Sequence, residues 1–126
     1  MAAAGFRGPK KIYQAFKWSM KGLKATYLTE ASFRLEVYLC VVLFPLAFLL
    51  ANNHIDLILL LGSCLLVLLV EIINSAIEAV VDLVCGEKRH ELAGRAKDMG
   101  SAAVFLSQMI VVLTWGLIFY HNMISV

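Results

Sequence analysis

Glu71-Ile-Ile-Asn-Ser-Ala-Ile-Glu-Ala-Val-Val-Asp82 follows without a break on the apolar run from Leu57 to Val70, and the fold turns on that junction. A run of this length and composition is a membrane span, and carboxylates have entered its end. At 100° per residue, Glu71, Asn74, Glu78 and Asp82 fall on one narrow helix face with Ser75 beside them, while Ile72, Ile73, Ile77 and Val80 lie mostly elsewhere. An ionised carboxylate near the bilayer centre costs at least ~2.5–3.5 kcal/mol, so several on one face need partners, water or a cation. Such a seam is read first as functional.

The rest of the chain agrees with a membrane setting. Its 126 residues are 61% hydrophobic with a mean hydropathy of +0.83, too apolar for a soluble domain and too short for more than one. Residues 1–126 therefore read as a single integral-membrane domain. Cys40, Cys64 and Cys85 lie far apart, lack Cys-x-x-Cys spacing and read as small hydrophobes. The formal net charge is only +2, but the cations are unevenly placed. Arg7, Lys10, Lys11, Lys17, Lys21, Lys24 and Arg34 come early, Lys88, Arg89, Arg95 and Lys97 form a second group, and none lies between or after. The positive-inside rule puts the amino terminus and the second group in the cytoplasm, with the Ala51 to Asp56 turn and the carboxyl terminus outside. Anionic headgroups account for these cations, so no nucleic-acid partner is expected.

Read outward from the seam, the expected architecture is all-α: an amphipathic surface helix at about 10–28 and three transmembrane helices at about 33–51, 55–84 and 98–120. Gly8-Pro9 marks the start of the surface helix. Lys10, Lys17, Lys21 and Lys24 gather on one side of it, Ile12, Phe16, Met20, Leu23 and Tyr27 on another. The apolar run after it contains Pro45 and no small-residue cleavage site, which favours a retained span over a cleaved leader. Arg34 at its inner end suits an interfacial anchor as well as a substrate contact. His54 in the outer turn has no neighbouring ligands and reads as solvated. The 55–84 helix would be ~45 Å long, more than the hydrocarbon core needs, so its end protrudes into the cytoplasm. Glu71 then lies just inside the inner hydrocarbon boundary, Glu78 near the headgroups and Asp82 in water. Residues 85–95 read as a charged loop with Gly86 as helix stop. Gly100, Ser101, Ala102 and Ala103 would let another helix approach closely. Ser107 and Gln108 read as helix bridges, and Trp115, Phe119 and Tyr120 as an interfacial aromatic belt.

No Walker loop, dinucleotide turn, nucleophile elbow or His-Glu-x-x-His pair occurs. What remains is a set of cytoplasm-facing carboxylates, Glu30, Glu71, Glu78, Asp82 and Asp98, with cations at Lys11, Arg95 and Lys97. Carboxylates and phosphate oxygens together make a Mg²⁺ site, because this small hard cation keeps waters and needs few protein ligands. Phosphoryl transfer needs such a metal, a cation on the phosphates and a base at the accepting hydroxyl. A base at the depth of Glu71 would meet a lipid hydroxyl, and a ligand at the depth of Glu78 would meet a nucleotide.

The Glu71 to Asp82 stretch resembles the signature of the prokaryotic integral-membrane diacylglycerol kinases, and Gly-Arg-Ala-Lys-Asp-Met-Gly-Ser-Ala-Ala-Val at 94–104 is similar to their second hallmark. Lys-Gly-Leu at 21–23 and Glu-Ala-Ser-Phe-Arg-Leu-Glu at 30–36 extend the likeness over nearly the whole chain. The resemblance implies a lipid kinase of the bacterial inner membrane, a homotrimer with composite active sites between protomers, using ATP as co-substrate. It implies Glu71 as general base, Glu30 and Glu78 as Mg²⁺ ligands, and Lys97 with Asp98 at the nucleotide. Lys11, Trp18, Ser19 and the Lys88-Arg89-His90 loop would complete ATP binding. Asn74, Ser101, Arg34 and Glu36, with Lys11 and Glu71, would surround the lipid. The chain departs from the best-known members in having Lys11 and Trp18 where they have Arg and Tyr, and in a Cys85 to His90 loop one residue longer.

Three other readings stand beside this one. The seam could join protomers by pairing with Lys97 or Arg95. The related undecaprenol kinases share the glutamate-rich motif and the Arg-Ala-Lys-Asp run, but Met-Gly-Ser-Ala-Ala and Phe-Arg-Leu-Glu favour diacylglycerol. An ion or proton pathway would want acidic groups through the outer halves of the spans, and beyond Asp56 at the outer turn there are none.

Overall fold

The computed structural model describes residues 8–88 and 90–124, and the regular structure within them is helical: α1 Pro9–Thr29, α2 Ala31–Leu50, α3 His54–Cys85 and α4 Glu91–Ile124. The last three are each long and apolar enough to cross a membrane. Most of their surface faces outward, as lipid contact requires.

Pro9 opens α1 behind Gly8, which takes the positive φ of +67° that a side chain would resist. Ile12, Phe16, Met20 and Leu23 remain exposed along this helix. At its end the Glu30 N–H donates to the Thr26 carbonyl at 2.9 Å, and the Arg34 guanidinium donates to the carbonyls of Tyr27 at 2.7 Å and Leu28 at 3.2 Å. Arg34 thus satisfies carbonyls that the last turn leaves without helical donors. The Tyr27 and Tyr38 hydroxyls meet at 2.7 Å across the same corner. Extended backbone at Glu30 makes the corner itself and sets that carboxylate beside the start of α2.

Helix α2 continues through Pro45, whose ring removes the donor that the Val41 carbonyl would otherwise meet. Asn53 caps α3 by accepting from the Asp56 N–H at 2.8 Å, and Gly86 stops it at φ +57°. The fourth helix differs from expectation. It begins at Glu91 rather than near Asp98 and runs to Ile124, beyond Tyr120, so the linker shrinks to the residues between Gly86 and Glu91. Glu91, Leu92, Arg95, Ala96 and Lys97 are good helix formers, and the Glu91–Arg95 pair at 4.0 Å has the i,i+4 spacing that supports a first turn.

The most extensive packing joins α3 to α4, with α2 laid on α3. Leu60 and Val67 of α3 and Ala47 of α2 are fully buried, and Cys64 is nearly so. Two sequence readings are corrected at this level. Ser107 does not bridge helices, because its hydroxyl donates to Val104 of its own helix at 2.7 Å. Trp115 ties α4 to α3, its indole N–H reaching the Leu60 carbonyl at 3.2 Å, so its polar edge turns into the bundle rather than to an interfacial belt.

Candidate active site

One hollow of about 290 Å³ collects the polar face of three helices. Glu30 comes from the corner and Glu36 from α2, Glu71, Asn74 and Glu78 from α3, and Ser101 and Gln108 from α4. The α3 spacing of 71, 74 and 78 delivers its three side chains to one side, as the seam required. Glu71 is only 5% exposed, whereas the other acids stand nearer the mouth. Glu36, Glu30 and Glu78 all lie within electrostatic reach of it. Among the described residues no lysine or arginine lines the hollow.

Asn74 shows why α4 must come so close. A Cβ built on Gly100 would collide with Asn74 Oδ1, so the glycine is what lets the α4 backbone press on this carboxamide. The same Oδ1 is buried and has no hydrogen-bond partner among the described residues. A buried orphan acceptor costs free energy unless a ligand or water meets it.

This donor set fits a hard divalent cation. Several carboxylates face one space, and Mg²⁺ is held by one or two carboxylates plus phosphate oxygens and water rather than by a full protein cage. Among the described residues no three His, Cys, Asp or Glu side chains converge as a ready-made metal cage.

The cations gather elsewhere. A second hollow of about 380 Å³ begins along α3 at Val81, just beyond Glu78, and holds Asp82, Lys88, His90 and Lys97. Lys97 Nζ lies 2.7 Å from Asp82 Oδ1, so the end of the seam is paired within one protomer, while Arg95 pairs with Glu91. Asp98 is exposed and lines neither hollow. On α1, the Lys11 ammonium sits 5.6 Å from the Trp18 ring centre, and the Ser19 hydroxyl donates to the Ala15 carbonyl at 3.0 Å. Arg34 is turned to the end of α1, away from the carboxylate hollow. Arg89 lies outside the described residues.

The structure therefore brings together Glu30, Glu36, Glu71, Asn74, Glu78 and Ser101. It does not bring Lys11, Trp18, Ser19 or Asp98 into that lining, and Lys97 lines the neighbouring hollow while staying within electrostatic reach of Glu78. Ser32 and Gln108 join the lining without having been singled out for it. The signal for Gln108 was available, since 101, 104 and 108 share one face of a helix.

Residues 17–119 match the family model described as prokaryotic diacylglycerol kinase. A protein named diacylglycerol kinase from Haemophilus influenzae is 46% identical over 109 residues, covering 86% of this chain and 92% of that one. Its namesake from Escherichia coli is 45% identical over 115 residues, 91% of this chain and 93% of that one. Another from Pseudomonas aeruginosa is 47% identical over 114 residues, 90% and 92% of the two chains. With a family match across most of its length and relatives aligned nearly end to end, this three-span helical protein belongs to the prokaryotic diacylglycerol kinase family.

Proposed function

We propose that the protein transfers the γ-phosphoryl group of ATP to the free hydroxyl of diacylglycerol, giving phosphatidic acid at the cytoplasmic face of the bacterial inner membrane. The observation that carries this reading is the hollow in which Glu71 is buried among further carboxylates, with no lysine or arginine among the described residues in its lining. Glu71 acts as general base. Its carboxylate takes the hydroxyl proton as that oxygen bonds to the γ-phosphorus, the bond from phosphorus to the bridging oxygen breaks, and ADP leaves. Asn74 and Ser101 orient the glycerol end, and Glu36 completes the polar wall on the α2 side.

Glu30 and Glu78 hold Mg²⁺, which when bound to the nucleotide supplies neutralising charge at the phosphate oxygens. Lys97, released from Asp82, and Lys88, Arg89 and His90 receive the phosphates as point charges and donors. Asp98, Lys11, Trp18 and Ser19 complete the nucleotide site, and Lys11 and Arg34 border the lipid headgroup region. Carboxylates and cations occupy two hollows of one protomer, and several nucleotide residues face neither. That supports a homotrimer in which one protomer's cations meet another's carboxylates. The exposed apolar stripe of α1 supports its lying on the membrane surface, and the cation distribution supports a cytoplasmic amino terminus and an external carboxyl terminus.

The test is transfer of γ-labelled phosphate from Mg-ATP to lipid in mixed micelles offered diacylglycerol or undecaprenol. Label on diacylglycerol is expected, and it should stop with a chelator and return with added Mg²⁺. Label on undecaprenol alone would reassign the substrate, and label on neither would reject a kinase.

A further inference from the structure

Beyond the carboxylate hollow lies a second chamber of different character. It is an apolar cavity of about 180 Å³ enclosed by α2, α3 and α4, with Leu39, Cys40, Leu43, Cys64, Val67 and Val111 in its wall. Glu36 and Gln108 line both spaces. Each helix makes the same change of character at the same level. Along α2 the lining passes from Glu30, Ser32 and Glu36 to Leu39 and Leu43, along α3 from Glu78, Asn74 and Glu71 to Val67 and Cys64, and along α4 from Ser101 to Val111 by way of Gln108.

Gln108 therefore stands on the boundary. Its Nε2 donates to Glu36 Oε1 at 3.5 Å, the long limit for such a bond. A carboxamide has two N–H donors and an acceptor oxygen, so this one contact leaves most of its capacity unspent in an apolar span. The side chain also edges an apolar groove on the outer face of α4 beside Phe105 and Met109, which keeps it open to lipid.

We infer that Gln108 is a specificity-determining residue that donates a hydrogen bond to an ester carbonyl of the diacylglycerol, at the point where the polar hollow gives way to the apolar cavity. This rests on the lipid-kinase reading above. In a diacylglycerol the ester carbonyls stand a few bonds from the free hydroxyl and mark where glycerol ends and hydrocarbon begins. With the hydroxyl among the carboxylates and an acyl chain in the cavity, a carbonyl falls at the level of Gln108. Ester oxygens only accept, and an ionised Glu36 alone would repel them. Gln108 covers that carboxylate and offers the second N–H. An alcohol without esters leaves the donor unmatched in an apolar setting, which is how a site built on hydrogen bonds rejects an analogue.

The experiment compares kcat/KM for 1,2-diacylglycerol with that for a chain-matched 1,2-dialkylglycerol, its ether analogue without carbonyls, in wild type, Q108M and Q108H. Wild type should prefer the diester by about tenfold, the scale of one net hydrogen bond. The ratio should fall to about one in Q108M, which keeps side-chain volume, and recover in part in Q108H, which restores an N–H donor. If Q108M does not purify folded, Q108N takes its place, with an intermediate ratio expected from its shorter reach. Equal use of both lipids by wild type, or an unchanged ratio in Q108M, overturns the assignment while leaving the kinase standing. A Q108M protein that loses trimer stability but keeps the ratio shows Gln108 to be a helix tie only, which also overturns it. Phosphorylation of neither lipid by wild type fails the kinase reading itself.

Discussion

The two ends of the α3–α4 pair treat polar side chains in opposite ways. At the Asp56 end, Asn122 is 8% exposed and donates to the Leu50 carbonyl at 2.8 Å and to Asp56 Oδ2 at 3.2 Å, Asn53 caps α3, and Trp115 reaches Leu60. These groups are used up in joining three helices. At the Glu71 end, among the described residues, acids converge with no lysine or arginine in the lining and Asn74 Oδ1 has no hydrogen-bond partner. Satisfied polar groups in an apolar bundle fix structure, whereas unsatisfied ones cost stability and persist where a ligand completes them. One end is a clasp and the other a receptor.

The sharpest way to break that contrast is Glu71→Gln. If Glu71 is the general base proposed above, turnover should fall at least ~10²-fold, with thermal stability unchanged or raised because a buried charge has gone. Near-normal phosphate transfer would remove Glu71 from its role. Gly100→Ala comes next. The added methyl group must displace Asn74 or part the helices, at about 1–3 kcal/mol of stability, together with reduced turnover. A fully active variant with an unchanged melting temperature would show that the close approach is dispensable.

At the other end Asn122→Leu should cost about 1 kcal/mol, the scale of interhelical hydrogen bonds in membranes, and leave turnover below the melting temperature as it was. A large fall in kcat would mean that the clasp governs the site. The smallest effect is expected at Asp82→Ala. Its ion pair with Lys97 is solvent-screened, with side chains 63% and 43% exposed, so the melting temperature should hardly move. A larger shift would make the pair structural rather than a holding place for Lys97.

Much of the receptor end was legible before any coordinates. The spacing of Glu71, Asn74 and Glu78 fixed a common face, and the small residues at 100–103 announced close packing. The clasp was less legible. Asn122 was not singled out, and Trp115 and Ser107 were misplaced, because the partner carbonyls at Leu50, Leu60 and Val104 carry no side-chain signature. Such bonds depend on how far one helix slides past another. The early start of α4 is hidden in the sequence by the charge density of residues 85–95, which reads as a loop although Glu91, Leu92 and Arg95 favour helix.

The sequence by itself determined that this is a membrane protein with three spans, which acids share one helix face, and where the cations cluster. Hydropathy and the 3.6-residue repeat are local properties, readable without knowing what lies opposite. Only the tertiary structure decided that Glu30 and Glu36 come round to that face, that Lys97 rests on Asp82 rather than beside Glu71, and that Gln108 stands between a polar hollow and an apolar one. Those facts depend on the crossing and register of separate helices, which packing sets and no single stretch of chain encodes.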